Sequence, residues 1–391
     1  MTIAIAGGGI AGLAAAIALA GAGRAVVVFE QADGFAEVGA GVQIGPNGVR
    51  ALQRLGAWEA LSDRTVEPRR IVVRDALSGR RLNEIALGQA FAGRYGAPYR
   101  VAHRGDLLAA LLATARAAPG VELRTGVAVT GFDARHDAVA VNLEAGDPFG
   151  AEALIGADGL HSAVRGQLLG ATPPDHAGHV LYRALVPMEA VPGAVQRDCV
   201  ALWLYPGGHV VHYPVSAGAS MNIVVAGESA SVADGWGAPA AAADVLACVA
   251  QAVPQLTALV QAPQDWRRWP AADRPAAPCW GEGPVTLIGD AAHPALPYLA
   301  QGAVMALEDA VVLGHWVGTE PALPDAFRAY ERQRGPRVAR LASLSRRQGR
   351  LYHLRQPLRL ARNAVMSAMP SDLFLRQLDW LYSWQAPDVA Q

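Results

Sequence analysis

Lysine is absent from this 391-residue sequence, and every one of its 33 Lys+Arg charges is arginine. That excludes a phosphate-loop lysine and a lysine Schiff base. Cysteine is scarce too. Cys199, Cys248 and Cys279 stand far apart with no CxxC, so neither a disulfide framework nor a zinc site is expected, and a reducing cytoplasm is the expected location. Charge of one sign is missing: the net charge of -1 gives no basic field for nucleic acid. With 52% hydrophobic and 17% charged residues the chain is globular, not disordered. Uninterrupted apolar runs are lacking as well. The Ala-rich stretch 239–263 is broken by Asp244 and Pro254, so no integral membrane segment is expected. The apolar N-terminus has no basic region before it and carries a patterned glycine cluster, unlike a signal peptide.

What is present reads as two textures. TIAIA at 2–6, a helix over 10–22 built on small residues, and AVVVFE at 25–30 form a βαβ-like start. HRGDLLAALLATARAA from His103 has helical spacing, and ALIGADG is another strand ending in a turn. After about residue 171, HVLYRALVPM, VALWLYPGGHVVHYPV and SMNIVVAGE give short β-type runs separated by Pro and Gly. This predicts a mostly antiparallel sheet domain reaching roughly 270 and ending in a helical stretch. VTLIGDAAH then returns to the first texture, and an arginine-rich helical segment follows from Asp325. The fold class expected is α/β. A discontinuous cofactor-binding domain (1–170 and 271–345) would carry an inserted sheet domain (171–270) and a C-terminal helical segment (346–391).

Three motifs carry chemistry. Gly7-Gly8-Gly9-Ile10-Ala11-Gly12 contains GxGxxG between a strand and a helix. Its glycines, Gly7, Gly9 and Gly12, allow the tight turn, the approach of a pyrophosphate and close helix–strand packing. Glu30 ends the second strand, where an acid accepts hydrogen bonds from an adenosine ribose. GADGLHSAVR (156–165) puts Asp158-Gly159 at a strand end, followed by Ser162 and Arg165. GDAAHP (289–294) puts Asp290 at another, and a nearly charge-free loop leads to the helix start Gln301-Gly302. The backbone N–H groups there attract electron-rich ligand atoms. A simple NAD dehydrogenase has no use for the second and third motifs.

Together they resemble the fingerprints of the flavoprotein aromatic hydroxylases, the p-hydroxybenzoate hydroxylase-like group. The likeness extends to HRGDL (103–107), GAGVQIGPNGVRAL (39–52), VVHYPV (210–215), YLAQGAVMALEDAVVLG (298–314) and LDWLYSW (378–384). Within the group it is strongest to the 3-hydroxybenzoate 6-hydroxylase, salicylate hydroxylase and 6-hydroxynicotinate 3-monooxygenase relatives. The resemblance implies a Rossmann-like FAD domain and NAD(P)H- and O2-dependent hydroxylation of a small phenolic acid or similar activated aromatic through a flavin C4a-hydroperoxide. Decarboxylative, salicylate-type hydroxylation, an N-heteroaromatic substrate, and an oxygen-independent flavin dehydrogenase or reductase stay open as alternatives. The implied FAD contacts are Gly7, Gly9, Ala11, Gly12, Glu30, Gly41, Val42, Arg104, Val129, Asp158, Gly159, Asp290, Gly302 and Ala303. Gly39 and Gly41 would let the loop approach the flavin ring. Asp158 and Arg165 would meet NAD(P)H transiently. Expected partners are one small aromatic substrate and O2, with a homodimer as the candidate assembly.

Substrate contacts are assigned to Gln43, Pro297 and Gln301. Some hydroxynicotinate-type relatives carry a histidine at the place of Gln43, and 3-hydroxybenzoate types a glutamine at the place of Pro297. Both differences argue for an altered substrate preference. In HVVHYPV, side chains alternate, so His209 and Tyr213 share one strand face and His212 the other. The relatives carry the same His–Tyr spacing. His209 and Tyr213 are therefore the expected catalytic pair, with the histidine titrating near working pH.

Overall fold

A computed structural model describes residues 2–35, 41–135, 138–229, 236–275 and 277–387. Its first layer is a five-stranded sheet in the order Val285–Leu287, Ala153–Gly156, Thr2–Ala6, Ala25–Glu30, Val121–Thr125, parallel throughout. The first four of these strands are almost continuously apolar because helices cover both faces. The three strands that precede the motifs lie side by side, with Ala6, Gly156 and Leu287 in one row. Their carboxyl ends therefore open on one edge. Helix Ile10–Gly21 follows the first strand and packs on helix Gly302–Thr319. A Cβ on Gly314 would come within 2.8 Å of the Ala18 Cβ, so small residues set this close approach.

The second layer is an eight-stranded sheet in the order Ala238–Ala240, Trp266–Asp273, Asp175–Pro187, Ser220–Glu228, Gly208–Val215, Cys199–Tyr205, Arg70–Asp75, Arg81–Ala86. All neighbours are antiparallel except Cys199–Tyr205 with Arg70–Asp75. Two features depart from the reading of the chain. The hairpin 70–86 comes from the stretch grouped with the cofactor-binding part, yet it is hydrogen-bonded into this sheet. The insertion ends in the strand Trp266–Asp273, and its helices, Ala242–Cys248 and Pro254–Gln261, come earlier. Arginines in WRRWPAAD hid the strand's alternation. One face of the sheet packs on those two helices; the other meets the parallel layer and the C-terminal helices. Helix Leu323–Tyr352 runs through residue 345 without a break, and shorter helices, Leu358–Ala368, Ser371–Arg376 and Asp379–Tyr382, follow.

A buried ion cluster ties these parts together. Arg334 is 1% exposed and donates to Asp309 (2.6 Å) and Glu308 (2.6 Å). Glu308 also accepts from Arg337 (2.6 and 2.7 Å) and from Asn47 Nδ2 (2.8 Å). Asp309 accepts the Gly289 N–H (3.1 Å) and pairs with His293 Nε2 (2.6 Å). Burial raises the Asp309 carboxyl, but His293 and Arg334 outweigh it and hold it down at about 2. Because the folded pKa is depressed, this stability is full above the unfolded carboxylate range and is lost as pH falls toward 2. Arg334→Met, which removes the buried cation shared by two buried carboxylates, is expected to cost about 3–5 kcal/mol in urea denaturation. Between pH 5 and 2 the parent protein should lose about 2 kcal/mol more stability than Asp309→Asn; equal losses would show that Asp309 does not titrate as described.

Candidate active site

At the edge of the parallel sheet the first motif turns sharply. Gly7 has φ +102°, and a Cβ there would lie 2.5 Å from the Ala157 carbonyl oxygen. A Cβ on Gly12 would lie 1.9 Å from the Gly7 oxygen. Both positions exclude any side chain. Gly9 is different: a Cβ would meet nothing within 4 Å, so the backbone at the start of helix Ile10–Gly21 is open to a phosphate group. Glu30 accepts from the Gly8 N–H (2.8 Å) and the Ala32 N–H (2.9 Å), and a carboxylate has further lone pairs for a ribose. Val129 starts a strand two residues beyond Val127, whose N–H donates to the Glu30 carbonyl.

The second and third motifs adjoin the first. Asp158 accepts from the Ala163 and Val164 N–H groups (2.8 and 3.3 Å) at the start of the following helix, and among the described residues its buried Oδ1 has no hydrogen-bond partner. Burial raises its pKa. Gly159 follows with φ +75°. Arg165 is buried, donating to the carbonyls of Ala291 (2.9 Å) and Ala292 (2.8 Å). Through its Nη1 it clamps one motif to the other. Gly289 has φ +61° and faces Ala11. Asp290 is exposed to solvent yet enclosed by protein; burial in this cleft raises its carboxyl while Arg104, then His293, pull it back. Arg104 opens helix Arg104–Ala117, and Asp106 in the same turn pairs with Arg64 at 3.1 Å.

Pro297 begins a single 3-10 turn, Pro297–Leu299, which ends on Ala300 in the left-handed region (φ 52°). Helix Gly302–Thr319 starts next with no side-chain cap, and a Cβ on Gly302 would meet nothing within 4 Å. Gln301 is buried, and its Oε1 accepts from Asn47 Nδ2 at 3.0 Å.

The large sheet supplies the opposite wall. Tyr213 and Asn222 are paired across neighbouring strands, and both press on Gly41: a Cβ there would be 2.5 Å from the Tyr213 ring and 2.7 Å from Asn222. The Gly41 N–H donates to Asn222 Oδ1 (2.7 Å), and Val42 pairs with Ala102. Gly39 lies outside the described residues. Gln43 Oε1 accepts from the Tyr99 hydroxyl (2.6 Å), and Gln43 also hydrogen-bonds Tyr213. Burial raises the Tyr213 hydroxyl, against Arg183 and Gln43.

His212 points to the other face, stacked on Trp203, as the alternation predicts. His209 shares the Tyr213 face but does not titrate near neutrality. Burial pushes it down to about 3, reinforced by His179, and its Nδ1 lies 2.9 Å from His353 Nε2. Sequence reading missed Tyr99, Arg183, Asn222, Tyr352, Tyr382, His353 and Asn47. The motif neighbourhoods named Gln43 and LDWLYSW, but nothing in the spacing paired them.

The comparisons with known proteins agree with this geometry. Residues 1–345 match the model of the family described as "FAD binding domain". The chain is 39% identical to 3-hydroxybenzoate 6-hydroxylase of Polaromonas naphthalenivorans, covering 98% of this chain and 96% of that one. It is 35% identical to 6-hydroxynicotinate 3-monooxygenase of Bordetella bronchiseptica over 90% and 88% of the two chains. The structure of Klebsiella pneumoniae HpxO with FAD and uric acid superposes with a TM-score of 0.86 at 29% identity, covering 98% and 96%. A salicylate hydroxylase substrate complex gives 0.84 at 26%, covering 100% and 99%.

Two glycine substitutions separate packing from ligand approach. Gly41→Ala must displace Tyr213 or Asn222 and is expected to cost about 1–3 kcal/mol in chemical denaturation. Gly9→Ala should leave the ligand-free stability within about 0.5 kcal/mol of the parent, while weakening dinucleotide binding in a titration. Unchanged binding would mean that the ligand backbone does not approach at Gly9.

Proposed function

The chain belongs to the FAD-binding aromatic hydroxylases, and from that premise we propose that it uses NAD(P)H and O2 to hydroxylate a small aromatic acid bearing a phenol-type hydroxyl. The observation that carries this reading is the cleft itself. Three motif ends, with the unpartnered Asp158 Oδ1 and the enclosed Asp290, stand on one side. The linked polar groups Tyr99, Gln43 and Tyr213 stand on the other. The names of three relatives, acting on 3-hydroxybenzoate, 3-amino-4-hydroxybenzoate and 6-hydroxynicotinate, share an aromatic ring with one acid group and one hydroxyl.

The residues present suit FAD. The Gly7–Gly12 turn and Glu30 would hold the pyrophosphate and adenosine ribose, Asp290 the ribityl chain, and Arg104 and the bare start of helix Gly302–Thr319 the ring edge. When bound, FAD supplies electron uptake from NAD(P)H and activation of O2. The remaining work falls to this chain. The uncapped N–H groups at Gly302 and Ala303 favour negative charge held against them. The loop around Pro294 and Pro297 limits water. Tyr213 stays protonated through burial; with Gln43 occupying its oxygen, its O–H is left to donate to the substrate hydroxyl oxygen. His209, uncharged and bonded to His353, supports this wall and is assigned no proton-accepting step. A cytoplasmic location would give access to NAD(P)H.

Purified protein should be yellow, with FAD released on denaturation. A panel of hydroxybenzoates and hydroxynicotinates, scored for NAD(P)H oxidation, peroxide and product, should contain an acid that is hydroxylated in step with NAD(P)H use. Catechol with CO2 release would mark the decarboxylative variant, and anaerobic turnover without NAD(P)H would replace the hydroxylase reading by a dehydrogenase. Pro297, which offers no side-chain hydrogen bond, should make 3-hydroxybenzoate a poor or poorly coupled substrate. Tyr213→Phe should retain FAD while product per NAD(P)H falls roughly tenfold or more and peroxide rises. If His212→Ala has that effect and Tyr213→Phe is silent, the pocket lies on the other face of the strand.

A further inference from the structure

The C-terminal stretch LDWLYSW sends one tyrosine into the interior. Tyr382 ends the short helix Asp379–Tyr382 and is buried, as are Tyr99 and Tyr213. Its ring meets those of Phe91, Tyr95 and Tyr99 edge-on, with centroids 5.8, 5.5 and 6.1 Å apart. Arg50 donates to its carbonyl, and Arg337 donates to those of Trp380 (2.8 Å) and Leu381 (2.9 Å). The backbone is thereby fixed, and the phenol hydroxyl hydrogen-bonds Tyr99. Tyr99 bonds Gln43, and Gln43 bonds Tyr213. Four polar groups from separate parts of the chain thus form one line, from the C-terminal segment to the substrate side of the cleft.

Such a line has a direction. The Tyr99 hydroxyl gives its one hydrogen to Gln43 Oε1 at 2.6 Å, so Tyr382 is the donor in the bond between the two tyrosines. An amide whose oxygen is turned to Tyr99 turns its NH2 group to Tyr213, and the Tyr213 oxygen accepts. The hydrogen left over at the pocket end is that of Tyr213. Rotating the Gln43 amide by half a turn would reverse every bond and present a Tyr213 lone pair instead. We propose that Gln43, Tyr99 and Tyr382 are positioning residues that lock Tyr213 as a hydrogen-bond donor, and that this polarity makes the pocket select a ring hydroxyl over a ring amine. This rests on the hydroxylase reading above and adds what sets the direction of the bond at Tyr213 and which group it rejects. A hydroxyl oxygen accepts readily. An aromatic amine presents two donors, and its lone pair is drawn into the ring. Against a donor it leaves buried hydrogens unpaired, which costs more than the bond itself is worth. The effect of Tyr99 and Tyr382 reaches the substrate through Gln43 and Tyr213.

The test uses FAD-loaded protein and reads binding by perturbation of the flavin absorption spectrum, apart from turnover. The probes are 3-hydroxybenzoate with 3-aminobenzoate, and 6-hydroxynicotinate with 6-aminonicotinate. The parent should bind at least one hydroxy compound roughly 10- to 100-fold more tightly than its amino counterpart, the range expected when a buried hydrogen-bonding group is left unpaired. Gln43→Glu supplies an ionised carboxylate, which accepts from Tyr99 and Tyr213 alike and turns the Tyr213 lone pairs to the pocket. The preference for hydroxyl should then shrink by about tenfold or more, or invert. Tyr99→Phe and Tyr382→Phe free the amide to rotate and should shrink it by roughly tenfold and threefold, with FAD per protein unchanged. Variants that lower both affinities together and leave their ratio alone would reduce these residues to packing and overturn the assignment. So would a parent protein that binds each amine as tightly as its hydroxy partner. If neither hydroxy compound perturbs the spectrum, the lock and the hydroxylase reading both fall. The expected ratios without any hydroxy compound stimulating NAD(P)H oxidation would keep the lock and overturn the hydroxylase reading. Coupled hydroxylation with an unchanged ratio in all three variants would do the reverse.

Discussion

Arg334, sealed between Glu308 and Asp309, is the contact on which the geometry of the cleft depends. The two carboxylates are consecutive in helix Gly302–Thr319, whose N-terminus faces the cleft. Their other partners reach outward: Gly289 and His293 in the loop that presents Asp290, Asn47 in the helix after the Gly41–Ile44 strand, and Arg337, which also binds the carbonyls of Trp380 and Leu381. One cluster therefore positions the third motif, the uncapped helix start, the Gly41–Ile44 strand and the C-terminal segment. Breaking a buried network leaves uncompensated charge, so these elements are held to one relative arrangement. Gln301 belongs to the same system through Asn47, and its polarity is used inward.

The two walls of the cleft divide the labour by their origin. The parallel sheet brings three strand ends to one edge, where turns with left-handed glycines gather backbone N–H groups and carboxylates. The antiparallel sheet offers a flat face on which every second residue projects. That face gathers His209, Tyr213, Asn222 and Arg183 from three strands. The C-terminal helices then close the side near Tyr352 and Tyr382, whose rings pack with His209 and with Tyr99 respectively. Tyrosine hydroxyls and one amide supply hydrogen bonds without fixed charge, which leaves the arginines as the positive groups facing the pocket.

Local signals were enough for much of this. The GxGxxG turn with its strand and helix, Asp158 and Asp290 at strand ends, the β-rich insertion, the return of the chain to the first layer, and the shared face of His209 and Tyr213 all follow from short-range periodicity and turn chemistry. The family likeness follows from the order of the motifs. These features are legible because a parallel strand buried on both faces, a tight glycine turn and a two-residue alternation each impose a pattern within a few positions.

Other features depend on residues far apart in the chain, and no local pattern encodes them. Hairpin 70–86 joined the large sheet because Arg70–Asp75 found Cys199–Tyr205 as a parallel neighbour. Arg165 became a clamp because Ala291 and Ala292 present carbonyls to it. His209 lost its expected basicity because His353, 144 positions away, and the surrounding aromatic rings removed water from it. Arg183 came to share a face with Tyr213 through the pairing of two strands with Ser220–Glu228. The sequence by itself determined the family, the nucleotide turn and the layers, since those rest on backbone conformation and residue period. Tertiary structure alone decided which polar groups are spent on one another and which remain for a ligand, because desolvation and pairing are set by neighbours that only folding brings together.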